Sequence, residues 1–256
     1  MKTPFFLLAI GSVTLAGVGT LAVLPSLGAD ARGIKHDAKT DMPVVVELFT
    51  SQGCSSCPPA DKLAGKLAQD PSLLVLSRPV TYWDRLGWKD TLGREANTAL
   101  QRGYAAKGNE GAGVYTPQMV VNGRHGAVGS NERNVRALVR DAAMAERPAL
   151  SATTLDNGAV KIAIKGKFRR PAELVLVAYS AHEDVKIGRG ENGGRTVSYT
   201  NVVLDETRIA QPTSANGSFT IPAAKMRTSG ADRYAVILRR PESGPILAAR
   251  VIGKGT

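Results

Sequence analysis

The chain has 256 residues, 43% hydrophobic and 21% charged, with 33 Lys+Arg against 22 Asp+Glu and only two cysteines. This length and apolar content support one large or two small domains with ordinary cores. They exclude a collagen, a low-complexity polymer, a wholly disordered chain and a disulfide-stapled mini-protein. The net charge of +11 is scattered, with no basic run longer than Arg-Arg, which favours a merely soluble basic surface over nucleic-acid binding.

Lys2 precedes a nearly uncharged apolar run from Phe5 to Leu27, then Ala29-Asp30-Ala31. This pattern predicts a signal peptide over residues 1–31 with cleavage before Arg32, or an uncleaved membrane anchor. A polar linker follows over 32–42. The expected location is the periplasm or the exterior, with no stable membrane insertion after cleavage. There two cysteines can form and keep a disulfide.

From Pro43 to Arg147 strand-like and helix-like segments alternate. Val44 to Phe49 is a short β-branched run, read as a buried strand. Ala60 to Ala68 has helical spacing, and Leu73 to Leu76 begins a second strand. Arg94 to Ala106 reads as a helix. Met119 to Val121 closes at Asn122-Gly123, a hairpin signal leading into Ala127-Val128. Asn131 to Ala145 is the last helix of this half. Such alternation implies an α/β sheet. After Glu146-Arg147-Pro148 the pattern changes to short strands between turns: Ala159 to Ile164, Glu173 to Tyr179, Arg195 to Val203, Gly217 to Ile221, Tyr234 to Arg239 and Ile246 to Ile252. The expected organisation is an α/β domain over 43–147 and a β-sandwich-like domain over 148–256.

Cys54 and Cys57 form a C-x-x-C between the first strand and the first helix. Two thiols at this spacing can close a disulfide, and a helix N-terminus favours a thiolate through its dipole and free amides. Pro58 and Pro59 suit a first helical turn, with Ser56 as the expected cap. By position, Cys54 is the more exposed nucleophile and Cys57 the resolving partner. Three other readings stand beside this one. A disulfide could merely staple the turn. Zinc needs about four ligands, which two cysteines and three histidines hardly supply. A Cu(I) site could draw on Cys54, Cys57 and His125.

Thr116-Pro117 opens the strand at Met119. A cis bond there would present the Thr116 backbone beside the sulfurs, whereas a trans proline would simply start an edge strand. Trp83 and Trp88 lie in Tyr82 to Asp90, just past a strand C-terminus, where ligands sit in open α/β sheets. With Tyr115 they are expected to face the substrate; the competing expectation packs both rings between the domains. Gly190 to Arg195 reads as a β-turn, with a lid as the alternative.

The segments VVVELFTSQGCSSCPPADKL, TYWDRLGWKD, YTPQMVVNGR and GENGGRTVSYTNVV resemble an uncharacterised family of bacterial secreted proteins with a thioredoxin-like fold and a domain-of-unknown-function label. The resemblance runs from Met42 to the C-terminus. It implies a thioredoxin-like domain ahead of the β-rich one, Cys54 and Cys57 as a redox pair, and Pro117 as a cis-proline. It also implies that Glu47 is a buried acid able to take the proton of Cys57. The Ser-Ser between the cysteines and Gly53 before them depart from thioredoxin, which leaves the redox potential open. The combined expectation is an exported thiol:disulfide oxidoreductase needing no cofactor and no metal, acting on a thiol- or disulfide-bearing protein partner. Its rivals are a binding module with a structural disulfide and a copper carrier.

Overall fold

Val44–Thr50 (β1) is buried along its whole length because both of its faces are covered, so it reads as a continuous apolar run and not an alternation. Pro58–Leu67 (α1) begins with prolines at its first two positions, where a missing amide costs no helical bond. Leu73–Pro79 (β2) lies parallel to β1. Glu95–Ala106 (α2) follows, then the hairpin of Gln118–Val121 (β3) and His125–Val128 (β4), with β3 antiparallel to β1. Glu132–Met144 (α3) is capped by Asn131, whose side chain accepts from the Asn134 N–H at 3.2 Å.

The second half contributes Ala149–Thr154 (β5), Val160–Lys165 (β6), Glu173–Lys186 (β7), Thr196–Ala210 (β8), Gly217–Ile221 (β9), Arg233–Arg239 (β10) and Ile246–Val251 (β11). Strand β5 was not expected, and β7 and β8 are far longer than their apolar cores.

This computed structural model describes residues 42–108, 111, 113–168, 171–212 and 216–253. The expected signal peptide and most of the linker lie outside the described residues. Among those described, no helix is long and apolar enough to cross a membrane.

The protein is a mixed α/β molecule built on one eight-stranded sheet, ordered β11-β10-β7-β8-β2-β1-β3-β4, with a separate three-stranded sheet, β5-β6-β9. The expected division after Arg147 therefore does not separate the sheets. β2 would otherwise be an open edge, and β8 covers it: Ser77 pairs with Val202, Ser77 Oγ donates to the Thr200 carbonyl at 2.7 Å, and Asn201 Nδ2 donates to the Val75 carbonyl at 2.8 Å. The sheet also curls, bringing the Ile246 N–H of β11 within 2.8 Å of the Asn122 carbonyl after β3.

Val44, Val46 and Leu48 pack against α1 and α3 with Leu63, Leu67 and Val135. On the opposite face Val45 joins Leu74, Leu76, Val177 and Ile237. The three-stranded sheet packs Leu150, Ile162 and Ile164 over Leu174, Leu176 and Val236.

Candidate functional site

Cys54 and Cys57 are joined in a disulfide, with Cα atoms 5.4 Å apart, where β1 hands over to α1. The turn is set by main-chain bonds from Cys54 N–H to the Ser51 carbonyl and from Cys57 N–H to the Cys54 carbonyl, both 3.1 Å. Cys57 itself is the N-cap residue, and no side chain caps the helix, so Ser56 does not take that role. Ser56 Oγ instead lies 3.4 Å from Cys54 Sγ. The first helical turn offers no free amide: Pro58 and Pro59 have none, and the Ala60 and Asp61 N–H groups donate to the Cys57 carbonyl. A Cys57 thiolate would be favoured here by the helix dipole alone.

Exposure corrects a second expectation. Cys54 is 1% and Cys57 0% accessible, so both are buried and exposure does not set Cys54 apart as the nucleophile. Residues from three other parts of the chain pack around the C-x-x-C turn and the first turn of α1.

The first is the segment after β2. Trp83 is half-buried, and a Cβ added to Gly53 would come within 3.1 Å of the Trp83 Cβ, so glycine at 53 permits this close approach. Trp83 Nε1 donates to Thr116 Oγ1 at 2.8 Å. Trp88 Nε1 donates to Gln52 Oε1 at 2.8 Å, while its ring packs with Ile187, Val197, Tyr199 and Val202 of the second half. Trp88 thus takes the packing role between the halves, whereas Trp83 stays within the first half, against Phe49, Val80 and Leu100.

The second is Thr116-Pro117, whose peptide bond is cis, against the edge-strand expectation of a trans bond. Pro117 is buried beside the first turn of α1: a Cβ on Gly129 would touch Leu48, Ala60 and Pro117 together. Tyr115 is half-buried, its carbonyl accepting from Gln101 Nε2 at 2.7 Å. Val114, next to Tyr115 in the chain, and Leu86, three residues after Trp83, are exposed.

The third is the turn between β7 and β8. Asn192 Nδ2 donates to the carbonyls of Gln52 at 3.0 Å and Cys54 at 2.9 Å, and Glu191 Oε2 accepts from the Ser55 N–H at 3.2 Å.

Glu47 is buried, as implied by the family resemblance, but its oxygens are occupied. Arg78 Nε donates to Oε1 at 2.6 Å and the Tyr104 hydroxyl to Oε2 at 2.7 Å. It alternates with Val46 and Leu48, which face α1, and so lies on the other side of β1. This disagrees with Glu47 as the proton acceptor of Cys57. The network continues through Arg78 to Glu206 and Asn97, and through Arg239 to Glu206 and Glu173.

The acid on the correct side is Asp61, which sequence reasoning missed. It sits four residues after Cys57, on the same face of α1, and is 3% accessible. Oδ1 accepts from Thr50 Oγ1 at 2.7 Å, and Oδ2 has no hydrogen-bond partner. Burial pushes its carboxyl up to about 8, the Thr50 hydroxyl opposing and the nearby Asp90 adding to the rise. Asp61 therefore carries a proton at neutral pH.

The three-ligand copper set is not assembled. His125 pairs with Val121, at the opposite end of the β3–β4 hairpin from Pro117. Among the described residues no group of three or more His, Cys, Asp or Glu is placed to hold a metal ion.

The model of a family described as protein of unknown function (DUF1223) matches residues 45–239. A protein from Agrobacterium tumefaciens, solved by a structural genomics consortium, is 30% identical, covering 82% of this chain and 93% of that one with a TM-score of 0.69. HBP35 of Porphyromonas gingivalis is 13% identical over 83% of this chain and 75% of that one, TM-score 0.52, a likeness of fold alone. No curated protein matches the chain. On the extent of the family match and of the Agrobacterium likeness, the chain belongs to the DUF1223 family of unknown function.

Proposed function

We propose that this is an exported thiol:disulfide oxidoreductase whose Cys54–Cys57 pair exchanges two electrons with cysteines of a protein partner. The observation that carries this reading is the disulfide at the head of α1 with a buried acid, one oxygen unpartnered, one turn along the same face. The juxtaposition of β1, the C-x-x-C, α1 and the cis Thr116-Pro117 supports a thioredoxin-like reading of this half.

In the oxidising direction a partner thiolate attacks Cys54 Sγ. The Cys54–Cys57 bond breaks, and Cys57 leaves with the electron pair. Asp61 supplies the proton that neutralises it. A second partner thiolate attacks the partner sulfur of the mixed disulfide and expels Cys54, so the partner loses two electrons and the pair gains them. Asp61 is reprotonated from water, and the reducing direction runs the same steps backward. In this reading Thr116 and Pro117 align the partner backbone for exchange with the sulfurs. Tyr115 and Trp83, with exposed Val114 and Leu86, offer it apolar area. No organic cofactor is required, and the signal-like N-terminus would deliver the chain to an oxidising compartment.

The test is insulin-disulfide reduction with a dithiol donor. Cys54→Ser abolishes it, and Cys57→Ser accumulates a mixed disulfide with the partner that a reducing gel resolves. Asp61→Asn retains activity but flattens its pH dependence around pH 8. Wild-type protein without activity, and no mixed disulfide, would overturn the proposal. The burial of both sulfurs favours a second reading, a binding module in which the disulfide only staples the turn.

A further inference from the structure

Beyond Tyr179, β7 has no bridge to β10, and its outer part pairs with the Thr196–Val202 end of β8 alone. The two strands form an arm reaching the C-x-x-C turn. Its tip, residues 188–194, contains four glycines. From 188 through 196 only Asn192 is buried. Its Nδ2 makes the two bonds to the Gln52 and Cys54 carbonyls, and its Oδ1 accepts from Arg195 Nη1 at 3.2 Å. Glu191 adds the bond to Ser55 N–H. Gly188 lies against Trp88, where a Cβ would fall 2.9 Å from the ring.

A thiolate must reach bonding distance of a disulfide sulfur, and neither sulfur here has the exposed surface for that. Some cover must move. Trp83 packs with Phe49 and Val80, and Pro117 is buried close to Leu48 and Ala60 around Gly129. The tip is different, because it buries no apolar side chain and is seated mainly through side-chain hydrogen bonds at the end of a two-stranded arm. Such elements open at low free energy.

We propose that the Glu191-Asn192 tip is a lid on the Cys54–Cys57 disulfide, released when an extended polypeptide takes its place. The Asn192 carboxamide donates to two main-chain carbonyls, the same bonds that a partner's backbone N–H groups would make. Asn192 is therefore a positioning residue that competes with the partner's backbone. This rests on the reading that the disulfide exchanges, but its test is separable from it.

The test is the rate of reduction of the disulfide in the native chain by excess dithiothreitol, followed by alkylation of the released thiols. Two variants are compared with wild type: Asn192→Ala, and a shortened arm in which 188–194 is replaced by Asn-Gly. Removing the carboxamide takes the donor from the buried Gln52 carbonyl in the closed state, while the Cys54 carbonyl keeps the Cys57 N–H, and so favours opening. Asn192→Ala is expected to be reduced at least tenfold faster, and the shortened arm faster still, with urea midpoints close to wild type. Equal rates in all three proteins, or a disulfide that resists reduction in all three, would overturn the lid. A gain that only tracked a falling urea midpoint would also overturn it, because reduction would then follow global unfolding. Faster reduction without insulin activity would leave the lid standing and remove the oxidoreductase reading.

Discussion

Asp61, buried on the first turn of α1, and Glu206, half-buried among arginines, are carboxyl groups whose environments push them in opposite directions. Burial raises Asp61 to about 8, the Thr50 hydroxyl opposing and Asp90 adding to the rise, with no cation among the causes. Burial acts on Glu206 the same way, but Arg78 and Arg239 outweigh it and hold the group below its ordinary value. The second region is a structural charge network, closed on itself through Glu47, Glu173 and Tyr104. The first holds an acid without a cation and with one oxygen unpartnered, which is expensive for folding and useful for proton transfer. Desolvation alone does not assign a role to a buried acid; the presence or absence of a guanidinium does.

Arg78→Met leaves Glu47 and Glu206 without their shared cation, and the expected loss is about 3–5 kcal/mol in urea denaturation. A loss below about 1 kcal/mol would mean that the network is not closed as described.

The next test is pH. The folded Asp61 binds its proton more tightly than the unfolded chain, whose value is 3.8. Its contribution to stability is therefore complete below about pH 4 and is lost as the pH rises through about 8. The expected slope in that window is a fall of about 1.4 kcal/mol per pH unit from this one group. Asp61→Asn should remove that component, so that wild type and variant diverge progressively between pH 5 and 8. Parallel curves would return Asp61 to an ordinary ionised carboxylate.

Smaller effects sharpen the site. The Cys54–Cys57 ring spans few residues, so opening it by Cys57→Ser should cost only about 2 kcal/mol on the chain-entropy estimate, leaving a folded protein in which activity alone is lost. Trp83→Phe keeps an aromatic ring but drops the bond to Thr116, an expected loss of about 1 kcal/mol in thermal unfolding, with insulin turnover reduced more than stability.

Much of this was legible in the residues. Apolar runs and helical spacing located β1, α1, β2, α2, β3 and α3, because each buries apolar side chains, and the Asn122-Gly123 turn signal located the hairpin into β4. The C-x-x-C and Thr116-Pro117 marked the candidate site. Strand β5 was missed because Leu150 is its sole fully buried residue. The arm was missed because Ser180 to Lys186 has solvent on one side and carries polar and charged groups. Asp61 was overlooked because an Asp in a first helical turn ordinarily serves the helix dipole at the surface. The pairing of Arg78 with Glu206 spans 128 positions and leaves no local signal.

The most direct measurement is a redox titration of the Cys54–Cys57 pair in glutathione or dithiothreitol buffers, read by thiol alkylation. Reversible two-electron behaviour is expected, with a midpoint between about −120 and −270 mV, the range of exchanging dithiols. A pair still oxidised below about −300 mV, as structural disulfides are, would contradict it.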